Sequence, residues 1–253
     1  PWRHFHFAAP SLDELEPVAL ADRAIEVSLL TARGASPTRQ LADVVLAPAV
    51  AAPVVVALAQ HLAREGADDD LARVRVARRW HLVDERPGPA GLLPLPWDGE
   101  GLPARRIVLA QDGHLGERFA TWERAQRSGG RPGGAVRPSY RHPPVAGPAN
   151  LVVLSAAAVR QPELLALLET GFYLTLPAGA VRVDAPTGRF SLRAAAVQVR
   201  HGRPAAAHPL VDLRGSFRRL LGGLAATGGD TESFSLACAV TTPSLLLRRF
   251  EIA

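Results

Sequence analysis

Phe190-Ser-Leu-Arg-Ala-Ala-Ala-Val-Gln-Val199 decides the fold class. Phe190, Leu192 and Ala194 recur with a period of two, as on the buried face of a strand. Val197 and Val199 keep the period but stand in the opposite phase, so the pattern predicts a β-bulge at Ala194–Ala196. Downstream, His201-Gly202-Arg203 reads as a turn and Ala205–Leu213 as a further strand. Ser216 reads as the N-cap of an amphipathic helix of about three turns carrying Phe217, Leu220, Leu221 and Leu224 at i, i+3, i+4, i+7. Gly222 and Gly223 weaken that helix by roughly 1 kcal/mol each relative to Ala. Leu236–Thr241 and Leu245–Ile252 read as closing strands. Upstream, Asn150–Ser155 is a strand, and a helix runs between Pro162 and its stop at Gly171 with Leu164, Leu165 and Leu168 as its stripe. A strand-rich half with a few packing helices is α+β.

The N-terminal half fits the same class. Asp43-Val-Val-Leu-Ala47 reads as a buried strand, followed by Pro48, a mostly apolar helix from about Ala49 to Arg64, and Gly66 as a stop signal. Leu71–Val76 alternates Leu71, Arg73, Arg75 against Ala72, Val74, Val76 and predicts a strand with one buried face. Ala104–Ala110 predicts a strand, Asp112-Gly113 a hairpin turn and His114–Phe119 its return. Residues 84–103 are Gly/Pro-rich and read as a long loop ordered by the packing of Trp97 and several Leu. Residues 128–149, rich in Gly, Pro and Arg, read as a second loop, either a linker between domains or a segment that docks through Tyr140. Pro1–Phe7 looks extended and Asp13–Ser28 has helical spacing.

Composition excludes several classes. The chain has 253 residues, 47% hydrophobic and 21% charged, which excludes a disordered chain. Its longest apolar run, Ala47–Gln60, is too short to cross a bilayer and is broken by Pro48 and Pro53. One cysteine excludes an internal disulfide framework and any zinc site built on several Cys ligands within the chain, and fits a reducing, cytoplasmic setting. All 29 basic residues are Arg, Met and Lys are absent, and Asn150 is the only Asn; these are marks of a GC-rich genome. The net charge of +5 is scattered in Arg pairs without interleaved aromatics, so no nucleic-acid partner is expected. Without an initiator Met, residue 1 is not expected to be the native start.

Local motifs suggest little chemistry. Cys238, in its predicted strand, reads as a buried structural thiol. His4 and His6 would share a strand face usable for a metal, but no third ligand is near in sequence. Gly129-Gly-Arg-Pro-Gly-Gly134 could cradle an anion but reads first as a plain loop, Gly228-Gly229 as a helix stop, and Asp68-Asp-Asp70 as a solvated turn.

The order of segments says more. Val44-Val-Leu-Ala-Pro48 enters a helix, then come Trp97-Asp-Gly-Glu-Gly-Leu-Pro-Ala-Arg105, the Asp112-Gly113 hairpin, Val136-Arg-Pro-Ser-Tyr140 and Asn150-Leu-Val-Val153. Gly171-Phe-Tyr173, Thr187-Gly-Arg-Phe190, His201-Gly202, Gly229-Asp230, Cys238 and Pro243 follow. Over roughly residues 40–253 this order resembles the TldD/PmbA (TldE) family, the "modulator of DNA gyrase" peptidases. The resemblance implies a C-terminal domain of that type over 41–253, with 1–40 as a remnant of the N-terminal region or a linker.

In that family a TldD-type zinc peptidase, with a helical His-Glu-x-x-x-His motif and a Cys ligand, pairs with a homologous TldE-type subunit. In this register Val56 and Ala57 stand at the first His and the Glu, and His61 at the second His. Val cannot ligate zinc and Ala cannot serve as general base. Cys238-Ala-Val-Thr-Thr-Pro243 is similar to the TldE-type ending. The resemblance therefore implies a non-catalytic bacterial subunit with no cofactor of its own and no catalytic residue. It would form a heterodimer with a TldD-like chain that holds the zinc, around a cavity for proteolysis of unfolded or precursor peptides. Trp97, Arg137, Tyr140, Asp230 and Cys238 are the candidates for the groove or the interface, and His61 and Cys238 only weak candidates for a metal. A stand-alone peptide- or protein-binding module is the alternative, and a peptidase using His61 and Cys238 would need a further ligand and a base from elsewhere.

Overall fold

The computed structural model describes residues 37–66, 74–88, 92–155 and 157–253, with Pro17, Val18, Ala21, Asp22, Ile25 and Leu71. Strand β1 (Gln40–Leu46) leads through Pro48 into helix α1 (Pro48–Ala63). Next come β2 (His81–Glu85), β3 (Arg106–Gln111), β4 (His114–Leu115), α2 (Trp122–Ser128), β5 (Ala135–Val136), β6 (Val145–Ala146) and β7 (Asn150–Leu154). Then follow β8 (Ala158–Val159), α3 (Gln161–Leu168), β9 (Gly171–Pro177), β10 (Arg182–Asp184), β11 (Arg189–Arg200), β12 (Arg203–Ser216) and α4 (Phe217–Gly223). The last strands are β13 (Leu224–Gly228), β14 (Glu232–Ser235), β15 (Ala239–Thr242) and β16 (Leu245–Ile252). The architecture is mixed α+β. None of the described helices is long and apolar enough to cross a membrane.

Two sheets enclose α1. The larger runs β1-β9-β11-β12-β16-β13-β8, and a β1–β16 pairing joins β1, β9, β11, β12 and β16 into a closed circuit. The second runs β14-β15-β7-β2-β3-β4. α1 packs on β1 and β9 on one side and on β14 and β15 on the other. A helix between two sheets keeps only a narrow solvent stripe, here Ala49, Pro53, Gln60 and Ala63, while Val50, Val54, Val55, Leu58 and Leu62 are buried. Val44 and Leu46 join this core, while Val45 faces a smaller cluster under α3 with Leu164, Leu168 and Leu246. With both faces covered, β1 can be a continuous apolar run.

The expected bulge is present: the pairing of β11 with both β12 and β9 shifts register within Ala194–Ala196. Asp112-Gly113 and His201-Gly202 both turn with two positive φ angles, as two-residue hairpins of this twist require. Ser216 caps α4, its hydroxyl accepting from Arg219 N.

Several expectations are corrected. The described residues of 71–76 form no strand: Leu71 is helical and Val74–Val76 is irregular, and Leu71 and Val76, which the alternation put on opposite faces, are both buried while Val74 is only half-buried. α4 has seven residues rather than about three turns, and Leu224 already belongs to β13, so Gly228 ends a strand and not a helix. Only His114–Leu115 of the predicted return strand pairs as a named strand. Asp84 and Glu85, assigned to a loop, end β2. α3 ends at Glu169, whose φ is 54°. Gly171 opens β9 instead of stopping the helix, because a Cβ there would lie 2.2 Å from Asp43 O on the neighbouring β1. Cys238 is not in a strand but in the bend between β14 and β15. The readings of Pro1–Phe7, His4, His6 and Asp68–Asp70, and most of Asp13–Ser28, lie outside the described residues.

Candidate functional site

The α1 positions that the resemblance singles out are all buried. Val56, Ala57 and His61 are 5%, 8% and 5% exposed. The His61 ring lies 5.0 Å from that of Phe217, tilted, and Phe217 in turn stacks on Phe190 at 5.3 Å. A Cβ on Gly188 would come within 3.2 Å of His61 Nε2, so the imidazole fits closely against that backbone. His61 thus sits among the aromatic side chains of α4 and β11.

Cys238 lies elsewhere. Leu236 N donates to Cys238 O at 3.0 Å across the β14–β15 bend, and the half-buried thiol has Asp84 and Arg86 near enough to act on it. Burial pushes its pKa up from 9.0 to about 12; the Asp84 carboxylate adds to the rise and the Arg86 guanidinium opposes it. This is an inert thiol. Among the described residues no group of three or more His, Cys, Asp or Glu side chains is placed to hold a metal. At the α1 positions that the resemblance matches to the zinc motif's first His and Glu, Val56 and Ala57 offer no donor, so these residues do not fit a zinc ion.

Beneath Cys238 lies a polar network that the sequence reading missed. Arg86 is buried and donates from Nε to Asp84 Oδ2 at 3.0 Å, and from its terminal nitrogens to Ala135 O at 2.6 Å and Gly147 O at 2.5 Å. Asp84 also accepts from Ala149 N and Asn150 N at 3.1 and 2.7 Å. The Asn150 amide donates to Glu85 O and Leu93 O and accepts from Leu92 N. One buried ion pair and one amide therefore tie both long loops to β2 and β7. The available signal was that the chain's single Asn stands at the start of a strand.

The loop residues expected in a groove or interface are placed as follows. Trp97 is 60% exposed beside its bridge to Pro103, and Asp98 organises that turn by accepting from Glu100 N, Leu102 N and Ala135 N. Glu100 Oε2 accepts from Trp122 N at 2.7 Å, which brings the exposed Trp122 to the same end of the molecule. Arg137 donates to His142 O at 3.0 Å, and Tyr140, 81% exposed, projects between them with Arg141 packed on its ring. Trp97 and Tyr140 are thus not packed into their own domain. Asp230 turns inward, accepting from Ser244 N at 3.0 Å and Ser244 Oγ at 2.6 Å, so it braces the chain between β13 and β16. The carbonyls of Arg131 and Pro132 face Arg105, so that part of the Gly-rich loop holds a cation rather than an anion.

A family model described as "PmbA/TldA metallopeptidase C-terminal domain" matches residues 39–253. No curated protein matches the chain. The structure is similar to that of TldE from Thermococcus kodakarensis (TM-score 0.79, 18% identity), covering 95% of this chain and 56% of that one. It is also similar to a proposed modulator of a DNA gyrase from Thermotoga maritima (TM-score 0.76, 22% identity, 97% and 57% covered). A third similar structure is the corresponding protein of Bacteroides thetaiotaomicron (TM-score 0.73, 20% identity, 96% and 53% covered). The chain thus spans a little over half the length of these solved structures, and at such identity the likeness concerns the fold.

Proposed function

This chain belongs to the PmbA/TldA metallopeptidase C-terminal domain family, and from that membership we propose that it is a non-catalytic, TldE-like subunit. It pairs in the cytoplasm with a TldD-like chain that holds the zinc, and the two enclose a cavity in which unfolded or precursor peptides are cut. The observation that carries the reading is the α1 face. Val56 and Ala57 are buried aliphatic side chains at the positions of the family's first His ligand and its Glu, and neither can bind a metal or activate its water. Exposed Trp97 and Tyr140, on loops anchored by Asp84, Arg86 and Asn150, and Trp122 at the start of α2 supply aromatic anchors for the partner.

Co-expression with a TldD-like chain carrying His-Glu-x-x-x-His tests this. The expected result is one co-eluting complex whose zinc content and peptidase activity vanish when the partner's motif is removed. One tightly bound zinc per isolated chain would overturn the non-catalytic assignment. A soluble monomer that ignores the partner would favour a stand-alone binding module.

A further inference from the structure

A cleft of about 320 Å³ opens where the C-terminal end of α1 meets the start of α2 and strand β6. Gln60, Arg64, Thr121, Arg124, Val145 and Ala146 are among the residues that line it. Its volume is at the small end of ligand sites, enough for one residue-sized group.

Among the described residues the charges do not cancel. Arg124 donates to Ala63 O at 2.6 Å, a carbonyl that leaves the guanidinium charge intact. Among the described residues neither Arg64 nor Arg124 meets a carboxylate, whereas Glu65, the one acid in the lining, is engaged by Arg127 at 3.3 Å. The Thr121 oxygen accepts from Arg124 N at 3.2 Å, which leaves its hydroxyl proton to donate. Two guanidiniums, a hydroxyl and an amide thus share a cleft with a short aliphatic wall. That combination suits a carboxylate carried on a small aliphatic group, since a guanidinium binds a carboxylate through two parallel hydrogen bonds.

We propose that this cleft takes the C-terminal residue of a peptide, its carboxylate on Arg64 and Arg124 and a small aliphatic side chain against Val145 and Ala146. The choice of a peptide rests on the peptide-handling role proposed above; the carboxylate chemistry does not.

The test is a titration of the full chain with acetyl-Ala-Ala-Ala-Val as free acid and as C-terminal amide, alongside N-acetylvaline and inorganic phosphate. The acid should bind about 10–100-fold more tightly than the amide, the span expected for lost charge-assisted hydrogen bonds. Its affinity should fall with added salt, and R64Q should lose a similar factor without changing the thermal melt. Equal binding of acid and amide, an unchanged R64Q, or equally tight phosphate would overturn the carboxylate site. N-acetylvaline binding as tightly as the peptide would overturn the peptide source. So would acid binding that appears only when Asp68, Asp69 and Asp70 are changed to Asn, because the chain's own acids would then be the occupant. If the acid binds but no TldD-like partner does, the site stands and the subunit reading falls; the converse leaves the subunit reading intact.

Discussion

Arg86 shows how much one buried side chain can hold. Its guanidinium satisfies the Asp84 carboxylate and two loop carbonyls at once, and both side chains of the ion pair are buried. Arg86→Ala should cost about 3–5 kcal/mol in urea unfolding, because Asp84 would remain buried and charged without its cation. Cys238 is the other informative residue. Its folded-state pKa lies above the ordinary value of 9.0, so folding favours the protonated thiol. That contribution is whole below pH 9 and is lost as pH rises toward 12. Stability measured across this range should show an alkaline fall that Cys238→Ser flattens, and iodoacetamide at pH 8 should label the native thiol slowly. Rapid native labelling would contradict its burial. The burial of this thiol is tertiary: Leu236 and Ala237 beside it in the sequence are exposed, and it packs against the main core near Asp84 and Arg86.

At the scale of elements, the pairing of β1 with β9 depends on a close backbone approach. A Cβ on Gly171 would meet both Asp43 O and the Leu168 side chain. Gly171→Ala should therefore destabilise by about 1–3 kcal/mol, as overpacking at a tight contact does; a thermal melt unchanged from wild type would show that β1 and β9 can part at no cost. The two long loops are held as one unit. Asp98 ties the Trp97–Pro103 turn to Ala135, and Arg86 reaches Ala135 and Gly147. Limited proteolysis of Asn150→Ala should thus cut within both 86–105 and 129–149 faster than in wild type, whereas independent loops would open only near Leu92 and Leu93.

At the scale of the whole molecule, α1 packs between two sheets, and the exposed Trp97, Trp122 and Tyr140 stand on segments linked by the Glu100–Trp122 and Gly99–Ala135 hydrogen bonds. Trp97→Asp and Tyr140→Asp should each weaken co-elution with a TldD-like chain while leaving this chain's own melt within about 0.5 kcal/mol, the usual range for surface changes. An obligate interface would bury more than about 2,000 Å². Retention of the complex by both variants would move the interface to another face.

The sequence by itself determined the α+β class, β1 leading into α1, the bulge at Ala194–Ala196, the two hairpin turns and the Ser216 cap, because each rests on residues near one another in the chain. Periodicity, an N-cap hydroxyl or an Asp-Gly pair acts over a few residues whatever surrounds it. It also determined that Val56 and Ala57 offer no ligand, since that is a property of the side chains. Only the tertiary structure decided what depends on partners distant in sequence. Leu71 and Val76 are buried without strand pairing, and Gly171 opens a strand because Asp43 O lies over it. Asp84, Arg86 and Asn150 form their network across 66 positions, although Asp84 and Arg86 read as loop residues and Asn150 as the plain start of a strand. Burial of charge is set by what packs over it, and a linear pattern does not record that.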